Sequence, residues 1–140
     1  MPWATLRAGH VPTAVGWHLG QGRVHPAPSR AQATSDMVTA WAADVAGGRD
    51  ALMVAYHRDS VEALNLAARA VWGRLGRLSG PELEAPGGRR YCAGDLVVTL
   101  SPGPGGAWVT SQRAVVTSVD TEARALTALT PEGAELQMGP

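Results

Sequence analysis

Lysine, isoleucine and phenylalanine are missing altogether from this chain of 140 residues, and cysteine occurs once. The first absence has the sharpest consequence. A phosphate-binding P-loop closes a Gly-rich turn on Lys-Ser or Lys-Thr, so no such loop exists here, and every basic residue is an arginine. The codons of the three missing residues are AT-rich, which makes the pattern first of all a codon bias. The lone Cys92 excludes an internal disulfide and fits a reducing cytosol. The formal net charge is zero, whereas an autonomous nucleic-acid-binding domain usually carries excess positive charge, so any DNA contact has to come from local patches. No apolar run approaches the roughly 18 residues of a membrane span, and the N-terminus lacks the layout of a signal peptide. These features predict a cytoplasmic, soluble chain without a membrane partner.

What is present reads as helices first and strands later. Residues 3–8 and 12–19 suit two short helices stopped by Gly9 and Gly20. Ser29 followed by Gln32 makes a capping box, and Ala33, Met37, Val38, Trp41 and Val45 continue at helical spacing to Gly47-Gly48. Residues 51–56, ALMVAY, are continuously apolar, as in a strand covered on both faces. Asp59 then precedes Glu62 by three residues, and Val61, Leu64, Ala68, Val71 and Leu75 form one helical stripe ending near Gly73 or Gly76. Beyond Pro86 come four short segments rich in β-formers, at 95–100, 114–119, 124–129 and 134–138. Turn clusters separate them, which predicts a small antiparallel barrel. The expected fold is therefore α/β: a helical lead-in over residues 1–21, an α/β part over 22–76, a linker over 77–86 and the barrel over 87–140.

The ordered words GRVH, AWAADVAGGRDALMVAY, HRDSVEALNLAAR, GPELEAPGGRRYCAGDLVVTL and AWVTSQRAVVTSVD carry a resemblance. Together they resemble the C-terminal helicase part of actinobacterial conjugative relaxases of the MobF or TrwC type, which are similar to RecD-like superfamily-one helicases. The resemblance runs from about residue 5 onward. It implies that residues 22–76 begin a second RecA-like lobe and that residues 87–140 are its inserted β-barrel, beside a single-stranded DNA track. It also implies an ATP-facing role for Arg58, just after the lobe's first strand, with Tyr56 packing by the base. No residue matches the family's Walker A lysine, Walker B acidic pair or arginine-finger motif. The resemblance therefore implies a fragment of a DNA helicase that binds no cofactor and catalyses nothing alone, ATP and magnesium belonging to the complete motor. Many RecD-like barrels carry Asn-Gly in the turn before the central strand, where this chain has Thr110-Ser111.

Each candidate side chain has a plainer reading beside it. A guanidinium offers bidentate donors to a phosphate, but Arg58 also suits a solvated turn. Arg89, Arg90, Trp108 and Arg113 are the candidate DNA contacts, since cationic and stackable groups suit single-stranded nucleic acid. In the alternative, Tyr91 and Trp108 fill the interior and the arginines are surface charge. Trp17, Trp41 and Trp72 lie on or near apolar helical stripes and read as core. His10, His18, His25, His57 and Cys92 lack zinc-ligand spacing, and no metal site or catalytic residue is expected. Three functions follow: a non-catalytic relaxase-helicase fragment, a weak single-stranded-DNA module, or an interaction piece that docks on the remaining lobes or on itself.

Overall fold

The computed structural model describes residues 2–139, which divide after Leu64 into two compact units. The N-terminal unit contains α1 (Pro2–Arg7), α2 (Val11–Gly20), α3 (Arg30–Ala46) and the start of α4 (Arg58–Arg74). Ser29 caps α3 as its sequence suggests, the side-chain oxygen accepting from the Gln32 N–H at 3.1 Å. Gln32 does not return the bond, donating instead to Asp36 at 2.7 Å. All four helices stop in the same way. The glycine two residues past the last helical turn, Gly9, Gly22, Gly48 or Gly76, takes a positive φ. That geometry allows two reverse hydrogen bonds that satisfy the last carbonyls, such as Gly76 N–H to Gly73 and Arg77 N–H to Trp72. The second helix thus runs through Gly20, and the glycine that stops it is Gly22.

This unit buries little. Ala14, Val45 and Leu64 are its buried apolar residues among those described, while Trp3, Val11, Trp17, Leu52, Val54 and Tyr56 are exposed. Trp17, expected in a core, is 41 % exposed with the Arg23 guanidinium 5.1 Å above its ring. Residues 51–55 run straight, without turn or bend, but join no ladder among the described residues. The expected covered strand is therefore an unpaired extended segment. Along it Leu52, Val54 and Tyr56 face outward, and Ala51, Met53 and Ala55 are half-buried.

The C-terminal unit is a β structure, although not the closed barrel expected. β1 (Ser79–Ala85) and β2 (Arg89–Ala93) form an antiparallel pair, and β3 (Leu96–Val98), β4 (Arg113–Asp120), β5 (Ala125–Leu129) and β6 (Glu135–Met138) form a meander in sequence order. The expected linker over 77–86 is thus largely a strand. Closure fails because β6 pairs only with β5 and β3 only with β4, which leaves both edges of the meander open. The two sheets still share one core of Leu83, Ala114, Val116, Leu126, Ala128 and Leu136, with Tyr91, Val97, Trp108, Val119 and Met138 packed against it. Thr117 is the extra residue of a bulge opposite β5 and donates its hydroxyl to the Thr127 carbonyl at 3.2 Å.

Two positions fix the connections. Gly94, between β2 and β3, has φ +96°, and a Cβ there would stand 1.8 Å from the Arg77 carbonyl oxygen. Ser111, in the turn before β4, sits at φ 64°, the left-handed region in which a side chain costs about 1 kcal/mol. Its turn is held by the buried Thr99, whose hydroxyl donates to Val109 and accepts from the Gln112 N–H at 2.9 Å. Urea unfolding should therefore show opposite effects. Gly94→Ala should lose about 3 kcal/mol or more through backbone collision, while Ser111→Gly should gain up to about 1 kcal/mol.

Candidate nucleic-acid interface

The best-defined polar group of the C-terminal unit is built around Arg69. The second half of α4 carries it opposite Asp95, whose carboxylate is 7 % exposed as a residue and takes a forked contact from Arg69 Nε at 3.0 and 3.2 Å. Arg69 Nη2 adds Glu82 Oε1 at 2.9 Å and approaches Cys92 Sγ at 3.4 Å. Asp95 also accepts from the Cys92 N–H at 2.8 Å. One turn along the helix, the Trp72 indole donates to the Gly94 carbonyl at 3.2 Å, and the Arg77 guanidinium lies 4.6 Å from the same ring. Burial works against the charge on Arg69, but the hydrogen bonds it donates to Asp95 and Glu82 outweigh it and hold the guanidinium more firmly protonated than a free arginine. The Arg69 hydrogen bond holds Glu82 below the ordinary glutamate value of 4.5. Burial pushes the Cys92 thiol up, so it stays protonated and poorly nucleophilic.

No buried side-chain polar atom among the described residues lacks a partner, so this cluster braces the fold. Sequence reasoning passed over it because Arg69 and Asp95 lie 26 residues apart and neither belongs to a motif. The one available signal was an aspartate directly ahead of a strand that begins LVV.

The candidate DNA contacts fall in two places. Arg89 and Arg90 stand on β2, in register with Ala85 and Glu84. Arg89 is exposed and makes no ion pair among the described residues, whereas Arg90 Nη1 lies 3.6 Å from Glu82. Trp108 and Arg113 belong to the connection from β3 into β4. The Trp108 ring packs on the core and across Gly103, and its indole N–H donates to Ser101 at 3.1 Å. Arg113 is exposed in register with Val98, at the rim of a shallow, open depression of about 370 Å³ lined by residues 109–112, Pro131 and Glu132. Beside it the outer face of the meander is apolar: Leu96, Val115 and Leu129 are paired across β3, β4 and β5, each at least 41 % exposed.

Tyr56 and Arg58 belong to the N-terminal unit. Tyr56 is 96 % exposed and meets only the edge of the neighbouring His57 ring, 5.1 Å away. Arg58 opens α4, is exposed, and has no carboxylate partner among the described residues. Both side chains are thus open to solvent.

Comparison with protein-family models, with curated proteins and with solved structures gives no match. No helix among the described residues is long and apolar enough to cross a membrane, and no group of three or more His, Cys, Asp or Glu among them is placed to hold a metal ion.

Replacing Asp95 with Asn leaves the Arg69 charge without its forked partner in a half-buried site. Breaking such a pair by removing one partner is strongly destabilising, so the unfolding free energy should fall by about 2–4 kcal/mol in urea. Glu82→Gln should cost less, because that carboxylate is open to solvent. The sign with pH follows from the depressed Glu82 value. Its contribution is complete above the unfolded glutamate range and is lost as pH falls through the folded value. The stability difference between wild type and Glu82→Gln should accordingly shrink as pH is lowered below 4.5.

Proposed function

We propose that the chain is a non-catalytic part of a DNA motor of the relaxase-helicase kind, whose β unit touches the backbone of single-stranded DNA. The observation that carries this reading is the exposed Arg89 and Arg113 on separate strands of one braced β scaffold. Strand-borne arginines are held in place by the ladder, and a guanidinium grips phosphate oxygens in a forked geometry. In the resemblance Arg58 follows the lobe's first strand; here it opens α4 after an apolar segment that joins no ladder among the described residues. Trp108 acts here as the packed support of the β3–β4 connection, because its ring and N–H are already engaged. Arg90 contributes less than Arg89, because Glu82 offsets its charge.

The binding this predicts is weak and strongly salt-dependent. Each phosphate neutralised on a single strand contributes about −0.7 to the slope of log K against log salt, so two or three arginines give a slope between about −1.4 and about −2. Anisotropy of a labelled oligothymidylate at low salt should show this slope, with Arg89→Ala weakening binding more than Arg90→Ala and Arg113→Ala weakening it as well. Phosphate release assays should show no ATP hydrolysis by the isolated chain. A flat titration would sink the DNA reading, and turnover of ATP would sink the non-catalytic part.

The apolar row Leu96–Val115–Leu129 favours a second reading, a protein-interaction module. A three-strand row of exposed aliphatic side chains without aromatics suits a protein surface better than stacked bases. The flat titration that rejects DNA binding is the outcome this reading expects.

A further inference from the structure

We propose that Arg89 and Arg124 together bind one phosphodiester group, at the end of the β unit where the β1–β2 hairpin meets the β4–β5 turn. The source of that group rests on the DNA reading: it is the backbone of a single strand, and Arg124 is a contact that reading did not use. The starting observation is the main chain at Arg124. This residue closes the turn between β4 and β5 with φ 52°. Glycine occupies that region without steric penalty and arginine does not, so the turn carries a guanidinium at a local cost. The side chain reaches across to the other sheet, where Nη2 donates to the Glu84 carbonyl of β1 at 3.2 Å.

The register of the hairpin brings Arg89 to the same place. Ala85, the residue after Glu84, stands opposite Arg89 on β2. Side chains alternate faces along a strand, so Arg89 shares a face with Tyr91, and Ala85 with Leu83. Leu83 is buried in the common core and Tyr91 packs against it. Arg89 therefore lies on the face turned toward the meander, to which Arg124 belongs. Paired Cα atoms across a ladder are about 5 Å apart, which is within the length of an arginine side chain, so both guanidiniums can meet one small anion.

Neither charge is neutralised by a carboxylate. Among the described residues Arg89 and Arg124 make no ion pair, and the one hydrogen bond of Arg124 goes to a carbonyl and leaves Nε and Nη1 unused. The nearby acids are otherwise placed. Asp120 accepts from the Glu122 and Ala123 N–H groups at 3.0 and 2.8 Å, and Glu82 faces Arg69 and Arg90. The Glu84 side chain lies on the opposite face of β1 from Leu83. Glu122, exposed in the same turn, opposes an anion and keeps the affinity modest. Both arginines are exposed, so they meet a phosphate from the side, as a passing backbone offers it, with N–H pairs directed at its oxygens. Arg113 cannot share that phosphate. It opens the eight-residue β4, about 23 Å from the turn at the strand's far end.

Two measurements decide the matter. In anisotropy with labelled oligothymidylate, Arg89→Ala and Arg124→Gly should each weaken binding several-fold, and the double variant only slightly further, because both act on one phosphate. The double variant should flatten the salt slope by about 0.7, one phosphate, rather than about 1.4. Arg113→Ala combined with Arg124→Gly should instead lose the full product of the two effects. Glycine suits the φ of position 124, so Arg124→Gly should unfold at nearly the urea concentration of wild type. Without DNA, dimethyl phosphate added to the wild-type protein should shift the Arg89 and Arg124 Nε–H signals together in a nitrogen–proton spectrum. In Arg89→Ala the Arg124 signal should respond only at several-fold higher concentration. DNA binding that ignores Arg124→Gly, or fully additive losses at positions 89 and 124, would overturn the shared site and leave the DNA reading standing. A diester that moves neither signal, or only one, would overturn the site by itself. A flat oligothymidylate titration with both signals responding to the diester would sink the DNA reading and keep the site.

Discussion

The buried carboxylate of Asp95 is the constraint on which the C-terminal unit depends. A negative charge that is largely removed from water has to be matched by donors, and three parts of the unit supply them or bind close by. The second half of α4 brings Arg69, the end of β2 brings the Cys92 N–H, and the main chain on either side of Asp95 bonds Val116 of β4 in both directions, at 2.8 and 2.9 Å. The helix, the two-strand sheet and the meander therefore converge on one residue. Gly94 is the cost of that convergence, since the chain can bring Asp95 to this place only by passing where no side chain fits.

The rest of the unit is small. Its core consists of a handful of aliphatic side chains and alanines, and Val116 is the largest side chain that is completely buried. A closed barrel would require β6 and β3 to find each other or β1 and β2 to fill the gap. The connections instead hold the two sheets side by side over a shared interior. The helices of the N-terminal unit end cleanly on glycine, yet many of that unit's apolar side chains face outward, and its one long apolar segment joins no ladder among the described residues.

Much of the helical half was legible in the sequence, because its signals are local. Ser29 and the glycine pairs act within one turn, and the Val61–Leu75 stripe is a matter of spacing; its middle, Leu64, Ala68 and Val71, is buried or half-buried and its ends are open. Strands β3 to β6 were legible for the same reason, as each is bounded by its own turn cluster. The β1–β2 hairpin was not, since Gly80, Pro81 and the Pro86-Gly87-Gly88 turn read as a linker and only Leu83 marks an inward face. ALMVAY was misread in a more instructive way. Composition reports that a segment is apolar enough to be covered on both faces, but the cover itself is a long-range property. The Arg69–Asp95 joint lay beyond local reasoning altogether, because nothing in the spacing of an arginine and an aspartate 26 residues apart says that they meet.

Cys92 gives this arrangement a practical side. The only thiol of the chain lies beside the joint, covered by the elements that meet there and kept protonated by its burial. A maleimide or disulfide reagent can reach the sulfur only when those elements separate. The rate at which the thiol becomes modified is then a clock for local opening, read at a single atom without any introduced label.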